Sequence, residues 1–424
     1  MALPLSHITV LDLSRILAGP WCAQILADLG ATVIKIEHPE RGDDTRGWGP
    51  PFLEDSEGNE TGEAAYYLGV NRNKQSVAVD FTKPEGQAIL RELALGADVF
   101  LENYKVGGLK KYALDYPSVR AINPRIVYCS VTGFGQDGPY KSIAGYDFMI
   151  QGMGGLMSIT GERDDLPGGG PQKVGVAVSD IMTGLYATIG IQAALAYRET
   201  SGVGQHIDMA LLDTQVAMIA NLNMNYLISG KVPGRMGNAH ANIVPYQAFP
   251  TADGFVILAV GNDNQFDKFC QIANRAEIAQ DPRFRKNSDR VRNRDVLVPM
   301  ITAIVKMRTT DEWTTACDAA QVPCGPINTL DQVFSDPQVV HRGMRIDLPH
   351  PLSGTVPQVR NPIVFSDTPL EYHNAPPLLG EHTACVLKER LGYDNAKIAD
   401  LASRGVIAVA ASIDVAHDKS NSDR

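Results

Sequence analysis

Residues 7–38, HITVLDLSRILAGPWCAQILADLGATVIKIEH, decide the fold. HITVLDLS is a compact β-rich run, PWCAQILADLG reads as a helix with Gly30 at its end, and ATVIKIEH is a second β-rich run. The pattern then repeats. QSVAVDF predicts a third strand, and Thr82-Lys83-Pro84-Glu85 spells a capping box with proline inside the first turn, so a helix should run through GQAILRELALG. ADVFLENY and PRIVYCSVTGFG predict two further strands. Such alternation implies an α/β fold with a parallel, doubly wound sheet whose ligands bind beyond the strand C-termini. The strand ends that matter are therefore Ser14–Ala18, Glu37–His38, Glu102–Lys105 and Val131–Gly135. Glu37 closes its strand as a ribose-binding acid would, but the turn SRILAGPW lacks the G-x-G-x-x-G that lets backbone approach a pyrophosphate. That argues against a nicotinamide dinucleotide.

Further on, residues 177–199, AVSDIMTGLYATIGIQAALAYRE, predict a long and mostly apolar helix that opens on Asp180. Two readings compete for this aspartate. It caps the helix, as Asp and Ser commonly do, or the positive end of the helix dipole keeps it ionised for use as a nucleophile. Taken locally, the cap is the stronger reading. SGVGQHIDMALLDTQVAMIANLNMNYLISG then predicts a strand and a long helix. GKVPGRMGNAHANIVPYQAF reads as linker and loop entering a smaller domain, with a hairpin in YQAFPTADGFVILAVG turning at Asp253-Gly254. The charged run DPRFRKNSDRVRNRD reads as solvated surface. From about Pro326 the chain is expected to return to the first domain and end in helices. The predicted division is a large domain over 1–200, a linker helix over 201–224, a small domain over 225–325, a returning segment over 326–406 and a tail over 407–424.

Hydrophobic residues make up 44% of the 424 and charged residues 20%, which describes an ordinary globular chain. With 38 basic against 48 acidic residues the net charge is −10 and no basic block stands out, so neither nucleic acid nor an anionic membrane is expected as a partner. A few local cations still suffice for a small polyanion. The six cysteines are scattered, at Cys22, Cys129, Cys270, Cys317, Cys324 and Cys385, and fit neither a zinc site nor a disulfide framework. The nine histidines show no ligand spacing, so no metal is expected. MALPLSHITVLDLS lacks the basic region of a signal peptide, and the longest nearly apolar run, Gly184 to Tyr197, is too short to cross a bilayer. A cytoplasmic location is the expectation.

Several stretches together resemble the class III coenzyme A transferases, the formyl-CoA transferase and carnitine CoA-transferase family. They are VLDLSRILAGPWCAQILADLGATVIKIEHPERGDDTR, NRNKQSVAVDFTKPEG, DVFLENYKVGGL, NPRIVYCSVTGFGQDGPY, GYDFMIQGMGGLMSITG, VSDIMTGLYATIGIQAAL and APPLLGEHT, in the family's order to about residue 406. The resemblance implies a Rossmann-like large domain, a smaller α/β domain and an interlocked, ring-like homodimer. It makes Asp180, in SDIMTG, the catalytic nucleophile, with Ser179 free to take over the cap. For coenzyme A it implies contacts at Leu17 and Ala18, at His38, at Val79, Asp80, Phe81 and Thr82, and at Asn103, Tyr104 and Lys105. Lys111 pairs with a phosphate, and Ala144, Gly145, Tyr146 and Asp147 approach the pantetheine. Tyr66 and Tyr146 become walls of the acyl pocket, and the segment around Gly237, Asn238 and His240 a covering loop.

The chain departs from the formyl-CoA branch in ways that bear on substrate. It has GNAHANIVPY in place of a tetraglycine lid, and Leu17 and His38 where that branch shows glutamine and arginine. A less cramped lid suits a larger acid, and family members that resemble this chain often use succinyl-CoA with a dicarboxylate. Exchange between succinyl-CoA and a small dicarboxylate such as glutarate, malate or itaconate is therefore expected. Arg46 of DDTRGW either grips a distal carboxylate or, as is commoner for such a residue, makes an ordinary surface ion pair. A rival activity, α-methylacyl-CoA racemisation, needs an acid/base pair. Its histidine falls where this chain has Tyr146, a poor base with an unperturbed pKa of about 10. A non-catalytic CoA-binding protein is the third reading.

Overall fold

The computed structural model describes residues 2–410, and the remainder of the expected tail, 411–424, lies outside the described residues. The chain gathers into two compact units. One holds residues 2–154, 175–220 and 340–410, and the other holds 155–174 and 221–339.

The first unit begins with the two strands decided by residues 7–38, β1 (Thr9–Asp12) and β2 (Thr32–Glu37), joined by the helix Ala18–Asp28. A short hairpin follows, β3 (Phe52–Glu54) and β4 (Glu60–Ala64), and then the strands β5 (Lys74–Val79), β6 (Val99–Glu102), β7 (Val127–Thr132) and β8 (His206–Ala210). In space the parallel strands run β5–β2–β1–β6–β7–β8. Counted along the sheet's own strands this is the order 3-2-1-4-5-6 of a doubly wound dinucleotide-type sheet, reversing direction between β1 and β6.

Both faces of the sheet are covered, so its strands are apolar on both sides. On one face Leu11, Ile34, Ile36, Val77, Val79 and Phe100 pack under the helices Pro84–Leu95, Thr383–Leu391 and Asn395–Ser403. On the other face Val10, Val33, Val99, Leu101, Val127 and Cys129 pack under Ala18–Asp28 and Val178–Ser201. The register aligns Val10 with Val33 and with Val99, which keeps each face continuous.

Three local expectations are corrected. Pro84–Leu95 is helical, but Thr82 does not cap it, because its hydroxyl and N–H both donate to Asp80 Oδ1 instead. The long helix expected after β8 is two helices, Leu211–Met218 and Asn221–Ser229, broken at Ala220, whose φ is +51°. The second unit also draws in residues 155–174, which the sequence reading gave to the large domain.

That second unit carries the expected hairpin as β9 (Tyr246–Pro250) and β10 (Phe255–Ala259), with β11 (Cys324–Pro326) antiparallel to β10. Its core sets Phe249, Val256 and Leu258 against Phe266, Phe269 and Trp313 of the surrounding helices. Returning to the first unit, the chain forms the hairpin β12 (Arg345–His350) and β13 (Gly354–Val359), then two helices, and ends with β14 (Ile407–Ala408) antiparallel to β5. The large-domain sheet therefore includes residues assigned above to the tail. Among the described residues no helix is long and apolar enough to cross a membrane.

Candidate active site

A cavity of about 520 Å³ opens in the first unit beyond the carboxyl ends of β1, β2, β5, β6 and β7, at the point where the strand order reverses. Its floor follows from the first βαβ unit. Where β1 runs into Ala18–Asp28, Ile16 takes φ +73°, a left-handed conformation that is an outlier for a β-branched residue. Such strain persists only where the surroundings over-determine it. Here Asn103 clasps the neighbouring residue, accepting from Arg15 N at 2.9 Å and donating to Arg15 O at 2.7 Å, while Asp43 accepts from Ile16 N at 3.3 Å. The clasp turns Leu17 and Ala18 into the cavity wall.

The clasp stands on buried charge. Lys35 Nζ donates to Ser14 O and to Asp43 Oδ2, and Lys74 Nζ to Pro20 O and Asn71 Oδ1. Burial works against the ionised Asp43, but the Lys35 ammonium and Thr45 outweigh it and hold its carboxyl down to about 2. Burial and the neighbouring Asp12 compete at Lys74 in the same way, and burial wins, lowering the amine to about 8.

Most residues expected to contact coenzyme A meet at this cavity. Leu17, Ala18, His38, Val79, Asp80, Phe81 and Thr82 line it, as do Asn103, Tyr104, Lys105, Lys111, Ala144, Gly145 and Tyr146. Phe81 sits edge-on to both Tyr104 and Tyr112, with ring centroids 5.7 and 5.3 Å away. The segment 144–146 reaches the end of β7 because two glycines meet there. A Cβ on Gly133 would lie 2.5 Å from Gly145 Cα, which no real side chain tolerates. The sequence reading did not single out Arg15, Arg41 or Lys141, which also line the cavity. For two of them the signal was available, since Arg15 lies within the marked strand end Ser14–Ala18 and Arg41 lies three residues beyond His38.

Asp180 lies at the same cavity, buried in the first turn of Val178–Ser201. The helix closes on the Leu17–Ala18 wall through Gly184, one turn further on, where a Cβ would come within 2.6 Å of Ala18 O. Neither Asp180 nor Ser179 caps this helix, contrary to the capping roles expected of them. The residue before it is Ala177, and the capping acceptor is Asp147, whose Oδ1 takes Ser179 N at 2.8 Å and Asp180 N at 3.4 Å. Asp147 is not part of the cavity lining. The Ser179 hydroxyl donates instead to Gln215 Oε1 at 2.6 Å. The electrostatic expectation reverses as well. Burial, and then the Asp147 charge, push the Asp180 carboxyl up to about 7.

The remaining predicted residues are distributed differently. Tyr66 stands beside this pair of aspartates without lining the cavity. Burial first, then Asp180 and Asp147, push its hydroxyl up to about 12, and Trp48 packs edge-on at 5.1 Å. Arg46 is not free to hold a substrate. Its guanidinium is buried, donating to Glu37 at 2.8 and 2.9 Å, to Glu63 at 3.1 Å, and to Tyr67 Oη and Pro377 O. That same pairing removes Glu37 from any ribose-binding role. Gly237, Asn238 and His240 belong to the second unit, where Gly237 N donates to Gly161 O and His240 Nδ1 accepts from Asn242 N. Among the described residues no group of three or more His, Cys, Asp or Glu is arranged to hold a metal ion.

Comparison with known proteins adds to this geometry. A model described as CoA-transferase family III matches residues 5–383. The chain is 54% identical to a succinate–glutarate CoA-transferase of Agrobacterium fabrum, over 91% of this chain and 95% of that protein. It is 43% identical to a human (Homo sapiens) succinyl-CoA:glutarate CoA-transferase, over 95% of this chain and 90% of that one. Among solved structures, a CAIB/BAIF family protein from Brucella suis superposes with a TM-score of 0.80 at 51% identity, covering 92% of this chain and 100% of the other.

Proposed function

Because the chain belongs to CoA-transferase family III, we propose that it moves coenzyme A from succinyl-CoA to glutarate or a similar small dicarboxylate, with Asp180 as nucleophile. The observation that carries this reading is the position of Asp180. Glu37, Asp43 and Asp80 also line the cavity but are paired with Arg46, Lys35 and Lys83, whereas Asp180 is buried with Asp147 as its charged neighbour. The basic side chains Arg15, Arg41, Lys105, Lys111 and Lys141 of the same lining suit a polyphosphate in a chain of net charge −10. The relatives named above as succinate or succinyl-CoA and glutarate transferases support the choice of acids.

In the reaction the Asp180 carboxylate attacks the succinyl thioester carbonyl. A C–O bond forms, the C–S bond breaks, and a mixed anhydride and CoA thiolate result. The thiolate attacks the Asp180 carbonyl and expels succinate, leaving an aspartyl thioester. Glutarate attacks that thioester to give a second anhydride, and the thiolate then takes the glutaryl group, returning Asp180 to its starting carboxylate. The raised basicity of Asp180 helps here. A thiol titrates near ~8.5, so a carboxyl at about 7 expels thiolate at a smaller uphill cost than one at about 4.

The reading includes a homodimer and a cytoplasmic location. The dimer is supported by the exposed apolar side chains on the first unit, among them Phe148, Ile189 and Tyr197 at 59%, 62% and 54% exposure. The location is supported by six cysteines that are all free thiols. The test is a matrix of acyl-CoA donors against free acids, read by mass, with hydroxylamine trapping of the acylated enzyme. Label at Asp180 and preference for dicarboxylates support the reading. Monocarboxylates outcompeting every dicarboxylate, or solvent deuterium entering the acyl α-carbon without exchange, overturn it.

A further inference from the structure

We propose that Asp147 is a positioning residue for the transfer reaction: by occupying the N-terminal amides of the Val178–Ser201 helix with its own carboxylate, it sets the basicity of Asp180. The proposal rests on the reading of Asp180 as nucleophile and gives a second residue a defined part in that chemistry.

A carboxylate in the first turn of a helix is ordinarily stabilised by free backbone N–H groups and by the dipole. Here those amides are taken. Asp147 Oδ1 accepts from Ser179 N at 2.8 Å and reaches Asp180 N at 3.4 Å. Its other oxygen accepts from Gln151 Nε2 at 2.6 Å, on a side chain that is fully buried. The anion that satisfies this helix end is therefore a fixed neighbour, and Asp180 meets both a spent N-terminus and a like charge.

The other groups around Asp180 do not offset this. Tyr66, from the short helix Ala65–Leu68, is neutral with its hydroxyl pushed up to about 12. The helix Ala18–Asp28 offers Asp28 at its far end, engaged by Arg72. Leu211–Met218 offers the neutral Gln215 and the exposed Asp213. The charge placed to act on Asp180 is that of Asp147, second only to burial in raising it. The consequence is chemical. Asp180 serves in turn as nucleophile and as leaving group against a thiolate, and both steps are eased when the two conjugate acids are close in strength.

The experiment compares the parent with Asp147→Asn, which keeps an oxygen toward Ser179 N and loses the charge. The midpoint of Asp180 is read directly by carbon-13 carboxyl titration, alongside the pH profile of kcat/KM. The expected result is a midpoint at least about one unit lower, an acid limb that moves with it, kcat down about three- to tenfold at pH 8, and an unchanged KM for succinyl-CoA. Asp147→Glu, which retains the charge, restores much of kcat. If the Asn variant folds poorly, Asp147→Ser, a neutral capping residue, makes the same comparison. A midpoint that stays put while hydroxylamine still traps Asp180 overturns this proposal alone. A raised KM for succinyl-CoA with the midpoint unmoved overturns it in favour of a cofactor contact. An untrapped Asp180 removes the nucleophile reading itself, whatever the titration shows.

Discussion

Two buried carboxylates of the same sheet edge behave in opposite ways. Asp43 is enclosed with Lys35 and Thr45 and is held down to about 2. Asp180 is almost as enclosed, but its nearest charged neighbour is another carboxylate, and it is pushed up to about 7. Burial raises both, and the partner decides the sign. The first arrangement makes structure, since an ionised Asp43 pins the strained loop at Ile16. The second makes reactivity, since Asp180 carries an unspent tendency to bond with something other than solvent.

The largest effect expected is at Asp180. Asp180→Asn should lower exchange by at least about 10⁴-fold, as removal of a covalent nucleophile commonly does. It should also make the protein more stable. Burial and the Asp147 charge push the native carboxyl up from its ordinary 3.8 to about 7, so the native state holds its proton more tightly than the unfolded chain. Stability therefore falls as pH rises from about 4 through 7. Removing the carboxyl abolishes that loss, and urea unfolding at pH 8 should show a gain on the order of 2 kcal/mol that vanishes near pH 4. A variant both inactive and less stable at pH 8 would break the contrast with Asp43.

The next effect tests the paired side of the contrast. Arg46→Ala strips the partner from a fully enclosed Glu37, whose carboxyl is lowered because Arg46, Lys35 and Ser76 outweigh burial. The expected loss is about 3–5 kcal/mol, read by denaturant unfolding at pH 7. For a carboxyl lowered in the native state, the stabilisation is present above its unfolded value of 4.5 and is lost as pH falls through the native one. The deficit of Arg46→Ala should accordingly shrink in acid. The folded variant should keep the KM of the parent for glutarate, because Arg46 faces Glu37, Glu63 and Tyr67 and not the cavity.

This difference also explains what was legible in the sequence. The sheet was legible because strand, turn and helix signals are local, and a doubly wound sheet places its ligand loops by rule at the strand ends. Fourteen of the positions that the family resemblance implied for coenzyme A line the cavity, and six of them, Leu17, Ala18, His38, Asn103, Tyr104 and Lys105, also lie at strand ends marked by that rule. Arg46 was misread because its partners come from Glu37, Glu63 and Pro377, the last 331 residues away in sequence, and a loop arginine gives no sign of such a pairing. Asp180 was recognised as a motif residue, yet its cap was misassigned because the capping carboxylate comes from 32 residues before Ser179. β14 was missed because two apolar residues after a helix carry no β signal until β5 is there to pair with them.

A smaller effect concerns how the Asp180 helix meets the loop wall. Gly184→Ala places a Cβ 2.6 Å from Ala18 O, on the cavity wall, and 3.1 Å from the Trp21 ring. Alanine favours a helix by about 1 kcal/mol over glycine, so a purely local view predicts stabilisation. Crowding against backbone should outweigh it, giving a net loss of about 1–2 kcal/mol and a severalfold higher KM for succinyl-CoA as Leu17 and Ala18 are displaced. Stabilisation with an unchanged KM would show that the helix and the loop are not in the contact described.

The smallest effect separates burial from like-charge repulsion. Glu102, at the end of β6, is pushed up to about 7 by burial, against the opposing hydrogen bonds of Ser130 and of Tyr104 N, the latter at 2.8 Å. It resembles Asp180 in titration without an anionic neighbour of comparable weight. Glu102→Gln should keep an oxygen for Tyr104 N and remove only the ionisation. The native carboxyl again holds its proton longer than the unfolded one, so the wild-type protein loses stability as pH rises from about 4.5 through 7, and the glutamine variant does not. A gain on the order of 1 kcal/mol at pH 8 and none at pH 4.5, with kcat nearly unaltered, is the expected pattern in urea unfolding and turnover assays. Glu102 then shows what burial does to a hydrogen-bonded carboxyl without an anionic neighbour, and a larger response at Asp180 is the direction expected from the added Asp147 charge.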